Sequence, residues 1–139
     1  MSNPSKSLDV RVIIETALRQ FVPWLAMVAL VSLAGYPGVI CVTPMAWLIA
    51  LRVGNLCVAH STSQNSSQRL WEAALAGGLL GLLQGILFLV FLLFLGPIEA
   101  SEWTRAILLV LIQLILGILA GAGLSFFTAY LTEQRLRTP

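Results

Sequence analysis

Long apolar runs alternate with short polar ones along this chain of 139 residues. A helix needs about 20 mainly apolar residues to cross a bilayer. Four stretches meet that requirement, at about 12–34, 39–59, 70–95 and 106–131. The polar intervals between them are brief. GYPG at 35–38 is a turn by composition. HSTSQNSSQR at 60–69 has no apolar periodicity and reads as a loop. GPIEASEWTR at 96–105 is a second loop, with Ser101 or Glu102 placed to begin the next helix. TEQRLRTP ends the chain as a short polar tail. The pattern predicts an all-α integral membrane protein. It is a single domain, 1–139, with four transmembrane helices joined as antiparallel hairpins.

The first run differs from the others because an amphipathic extension precedes it. Val10, Ile13, Ile14, Ala17, Leu18 and Phe21 make one helical face. Arg11, Glu15 and Arg19 recur at four-residue spacing on another, a pattern that supports a helix. One helix whose first turns lie among the headgroups accounts for both halves. A separate interfacial helix followed by a short span is the alternative. Pro23 is a place for a kink, because it lacks the backbone donor; the pair Thr43 and Pro44 is a second such place in the next span.

Composition agrees with this reading. The chain is 58% hydrophobic and 10% charged, against about 25% charged in a soluble domain. Net charge is only +2, which gives no support to nucleic-acid binding. The N-terminus is not a cleavable signal by pattern, since Asp9, Arg11, Glu15 and Arg19 interrupt it. Four spans place both termini on one side. Lys6, Arg11, Arg19, Arg52, Arg69, Arg135 and Arg137 gather there, leaving Arg105 alone on the other side beside Glu99 and Glu102. Lysine and arginine in short loops face the cytoplasm, so both termini and the 60–69 loop are expected there, in a cell (inner) membrane. Trp71, Trp103, Tyr36 and Tyr130 sit near span ends, as interfacial anchors do. Trp24 and Trp47 lie deeper and are expected to pack. Asn65-Ser66-Ser67 matches a glycosylation acceptor, which means nothing in a cytoplasmic loop.

The third and fourth spans carry small residues in register. Gly77, Gly81 and Gly85 recur every fourth position, with Gln84 at the edge; Gly117, Gly121 and Ser125 do the same, with Gln113 on their face and Thr128 beyond. Small residues let membrane helices approach closely. Mirroring depth about position 100 sets Gly77, Gly81 and Gly85 opposite Gly123, Leu119 and Ile115. It sets Gly117 and Gly121 opposite Leu83 and Leu79. An antiparallel small-residue contact follows, with a Gln84–Gln113 hydrogen bond to guide register. Contacts to the first two spans, or to a second subunit, are the other partners open to these stripes.

Little else carries chemistry. Arg52 lies near enough to its helix end to reach the headgroups, so it and Arg69 are candidates for binding lipid or a partner chain. Pairing of Arg52 with Glu72 or Glu15 is the other use. Glu15 and Glu72 read as solvated charges at helix termini, Glu72 complementing a helix N-terminus. His60 is the only histidine and reads as an interfacial residue rather than a pigment or haem ligand. Cys41 and Cys57 stand ~24 Å apart on one helix, too far for a disulfide, and read as packing residues. No catalytic constellation, nucleotide fingerprint or metal spacing is present. No enzyme activity, cofactor or metal is expected.

In outline the four short spans resemble the small multidrug-resistance transporters, which carry a membrane glutamate in the first helix and a glycine-rich third helix. Glu15 and the Gly77–Gly85 stripe stand at those places, but Arg11 and Arg19 flank Glu15, a departure from that pattern. The residues themselves point first to a non-catalytic accessory or assembly subunit that packs in the bilayer against other membrane chains. A small homo-oligomeric transporter or channel is the alternative, with Thr43, Arg52, Asn55, Gln84 and Gln113 its only polar lining. A pore-forming or lysis protein fits the length but lacks the strongly charged tail.

Overall fold

The computed structural model describes residues 8–33, 38–62, 65–94 and 103–137, with side chains at 8–30, 45–62, 65–90, 103–105 and 107–137. Lys6, the turn at 35–37, the 96–102 stretch and the side chains of Cys41, Thr43 and Pro44 lie outside the described residues. Helices α1 (Val10–Leu33), α2 (Gly38–His60), α3 (Ser66–Phe94) and α4 (Trp103–Arg137) follow one another, with no strand among the described residues. Helices α1, α3 and α4 are long and apolar enough to cross a membrane. In α2 the described side chains, Met45–His60, form a shorter apolar helix.

Local chemistry sets the ends. Asp9 caps α1 by accepting the Val12 N–H at 3.2 Å, and Asn65 accepts the Ser67 N–H at 3.1 Å at the start of α3. Helix α3 therefore begins inside the stretch expected to be a loop. The 35 residues of α4 span about 52 Å, well beyond a ~30 Å hydrocarbon core. The expected polar tail is thus helical through Arg137, and side-chain bonds to α2 and α3 hold it there. Helix α1 runs unbroken through Pro23. Its amphipathic extension is continuous with the apolar part, and no separate interfacial helix forms.

Helices α2, α3 and α4 pack mutually, and α1 lies against α2 and α3 only, with no α1–α4 contact among the described residues. The core joins Ile13, Val53, Cys57, Val58, Ala73, Ala76, Leu80 and Ala129. The buried stripe of α1 is Ile13, Thr16, Ala17, Gln20 and Trp24, while Val10, Ile14 and Leu18 face outward. The apolar face read from the sequence is therefore rotated: its centre looks away from the bundle. Lipid is as apolar as leucine, so small and polar groups rather than the greasiest ones turn inward.

The tightest interface is between α3 and α4. Gly81 lies against the backbone of Gly117, and Gly77 against Gly121 and Ser125. A Cβ at Gly85 would meet Leu114 at 3.2 Å. The mirror point is one residue earlier than the sequence suggested, so glycine faces glycine instead of leucine. This register gives the shorter interaxial distance, and more atoms reach van der Waals contact. Helix α2 joins the same seam. Gly54 abuts Ser125 and Thr128, and the buried Ser125 hydroxyl donates to the Ala50 carbonyl at 2.7 Å.

A methyl group at Gly81 has backbone in its way, whereas at Gly123 nothing lies within 4 Å. Gly81→Ala should lower stability by about 1–3 kcal/mol, the usual range for overpacking. Gly123→Ala should leave it unchanged. Thermal unfolding of the two variants in one mild detergent checks the contrast.

Candidate functional site

The polar side chains gather at the bundle end where α1 begins, α2 meets α3 and α4 finishes. Glu72 is at its centre and is fully buried. Its Oε1 accepts the Asp9 N–H at 3.0 Å and the Gln68 amide at 3.4 Å. Its Oε2 accepts the Ser61 hydroxyl at 2.6 Å. Thr62 donates to the other carboxylate, Asp9 Oδ2, at 3.1 Å. Glu72 was expected to be a solvated charge in a first helical turn. Because α3 starts at Ser66, Glu72 lies in its second turn, and the N-terminal segment folds over it. A buried carboxylate is tolerable only when hydrogen-bonded, and three donors from three parts of the chain supply this. Beneath it Cys57, a free and fully buried thiol, faces Thr16.

Arg69 was expected to meet lipid or a partner; instead it pairs inside the chain. Its Nε lies 2.6 Å from Glu133 Oε1, and its terminal nitrogen donates to Glu133 Oε2 at 3.2 Å. The two side chains are largely buried. Arg137 adds a 2.7 Å bond to Ser66. These three contacts tie the last turns of α4 to the first turns of α3. Asn55 Oδ1 and Thr132 Oγ1, 2.6 Å apart, tie α4 to α2.

The remaining residues singled out from the sequence separate into groups. Gly77, Gly81, Gly85, Gly117, Gly121 and Ser125 all lie in the α3–α4 seam. Gln84 and Gln113 lie at one depth there, yet no bond joins them: Leu114 packs on Gly85, and Gln84 Nε2 is buried without a partner. Glu15 and Arg19 form an exposed pair at 2.9 Å, so the glutamate is not directed into the bundle. His60 Nδ1 bonds its own helix at Leu56 O, 2.9 Å away. No group of three or more His, Cys, Asp or Glu able to hold a metal occurs among the described residues.

Of the aromatics, Trp24 is buried and stacks on Phe21 with 5.7 Å between ring centroids. Trp71 is exposed and meets Phe126 edge-on. Trp47, expected to pack, is instead 55% exposed. It borders an open apolar depression of about 340 Å³ between α2 and α4, completed by Ala120, Gly123 and Leu124. The small side chains of α4 leave nothing there for the indole to pack beneath. Arg52, on the exposed side of α2, forms no ion pair or hydrogen bond among the described residues.

Sequence reading missed Glu72 as the organising group. The signal was present in one respect: a glutamate followed at once by Ala73, Ala74 and Ala76 sits at the start of a close-packed face, where water is excluded. Its partner Asp9 is 63 residues away and Ser61 is 11 away, and neither carried a pattern of its own. No protein-family model matches the chain, and neither the curated proteins nor the solved structures include a significant match to it.

Glu72→Ala removes the acceptor of the Asp9 N–H and of one Ser61 hydroxyl bond, and an acceptor lost from a packed polar group costs about 1–3 kcal/mol. The variant should unfold well below the parent temperature, and amide exchange at the start of α1 should quicken. Arg69→Met should destabilise by about 3 kcal/mol because it leaves Glu133 buried alone. Arg69→Met with Glu133→Leu should recover most of that loss, as chemical denaturation of the single and double variants will show.

Proposed function

We propose that this chain is a four-span membrane protein that works without a catalytic site, as an accessory or assembly subunit packed against other membrane chains. Both termini and the connection between α2 and α3 face the cytoplasm in this reading. Its support is the clustering of Arg69, Arg135 and Arg137 with Asp9, Glu72 and Glu133 at one end of the bundle. Basic residues in short connections favour the cytoplasmic side.

What supports the subunit reading is how little of α4 the chain itself covers, which leaves its outer face to lipid or to another membrane chain. This helix is held along one narrow stripe, and only 11% of its most apolar window is buried within the chain. Ile107, Leu108, Leu111, Ile115 and Leu119 are all exposed on it. The described chain outside the helices amounts to short connections, and its polar groups are consumed in holding the helices together. What remains for interaction is the side of the bundle. A small homo-oligomeric transporter or channel is the second reading, favoured by the buried and unpartnered amide of Gln84.

Purification from native membranes in mild detergent, with identification of co-purifying chains, separates the two. Migration with one large complex supports the subunit. A homo-oligomer whose stability rises with an added solute overturns it in favour of transport. Single cysteines in a cysteine-free background test the topology. Thr62→Cys and Gln134→Cys should react only from the cytoplasmic side and Arg105→Cys only from the other; exchange of all three refutes the orientation, and Arg105→Cys reacting on the same side as the other two refutes the four-span arrangement.

A further inference from the structure

Arg52 has no anion among the described residues of its own chain. The described carboxylates are all engaged: Glu15 by Arg19, Glu133 by Arg69, Glu72 by Asp9, Ser61 and Gln68, and Asp9 by Val12 and Thr62. An unpaired guanidinium on an apolar helix needs an outside partner. Its depth says which. Arg52 precedes His60, the last residue of α2, by eight positions, or about 12 Å at helical rise. The headgroup layer is about 5–8 Å thick on each side of the hydrocarbon. An arginine stem can run back along apolar surface toward the helix end, which brings the guanidinium to the phosphate layer rather than to bulk water.

We propose that Arg52 binds the phosphate of an anionic phospholipid whose acyl chain lies against the outer side of α2. Guanidinium and phosphate match as a two-pronged, charge-assisted pair. Asn55, exposed three residues nearer the helix end, offers amide hydrogens that no other described group takes. Below Arg52, Leu48 is 64% exposed and Trp47 borders the apolar depression with Ala120, Gly123 and Leu124. That surface suits a hydrocarbon chain and offers a water molecule no hydrogen bond. Selectivity for an anionic headgroup follows from the acids being taken: a zwitterionic lipid brings an ammonium group that finds no free carboxylate here. The proposal rests on the reading above only in that α2 crosses the bilayer; the identity of any partner chain plays no part.

Native mass spectrometry of the full chain, released from detergent with phosphatidylglycerol and phosphatidylcholine of the same acyl composition, tests it. The parent protein should retain phosphatidylglycerol with roughly tenfold preference, the scale of one charge-assisted hydrogen bond. Arg52→Gln should abolish the preference, and Arg19→Gln should leave it intact. Gly123→Leu, which fills the depression, should lower retention of both lipids while keeping the preference. Should Arg52→Gln fail to fold, Arg52→Lys decides: a reduced preference supports the site, and an undiminished one overturns it. Absence of preference in the parent, or its survival in Arg52→Gln, also overturns it. So does equal thermal stabilisation by inorganic phosphate, which would reassign the site to a free anion. Crosslinking of Arg52→Cys to an acidic protein chain in native membranes, with no lipid preference, would reassign it to a protein. Loss of the lipid preference with the Thr62, Gln134 and Arg105 labelling pattern unchanged sinks this site alone and leaves the topology standing.

Discussion

Backbone against backbone at Gly81 and Gly117 is the constraint on which the rest of the bundle depends. In a bilayer no hydrophobic force drives helices together, because the tails solvate leucine as well as another helix does. Contact must come from closeness. Absent side chains at Gly77, Gly81, Gly117 and Gly121 let α3 and α4 approach until main-chain atoms touch. That approach brings Ser125 between α3 and α2, where its hydroxyl finds the Ala50 carbonyl. Gly54 then receives Thr128. The three-helix seam is one arrangement with shared atoms, so displacement at one glycine is felt at all of them.

The polar end solves a different problem. Close packing of Ala73, Ala74 and Ala76 leaves Glu72 no route to water. The chain answers with donors from the residue that caps α1, from the α2–α3 connection and from the preceding turn of α3. The same end is tied a second time through Arg69 and Glu133. Glycine contact sets how near the helices come. The Glu72 and Glu133 networks fix where each one stops along its axis, since a slip of one turn would strand a buried charge.

Much of this was legible in the sequence, for identifiable reasons. Apolar runs and glycine spacing are local patterns, so the helices and the two stripes could be read directly. Their register could not be fixed to one residue, because it depends on a turn whose length composition does not determine. Which side of α1 turns inward was not legible, because amphipathicity in water and in lipid point opposite ways: Ile14 and Leu18 look outward while Thr16 and Gln20 look in. Glu72 was read as a solvated terminus charge and Arg69 as a lipid- or partner-binding one because Asp9 and Glu133, which hold them, lie 63 and 64 residues away. Arg52 was the reverse case: its isolation could be recognised only once every carboxylate nearby had been assigned.

The order of synthesis bears on α4. The helix that completes the closest contact is the last of the four to leave the ribosome, and Glu133, which neutralises Arg69, lies near its far end. Until then the glycine face of α3 is open to lipid and Arg69 stands without its acid. A nascent chain halted before α4 therefore displays a groove and a bare charge, both hidden in the finished bundle.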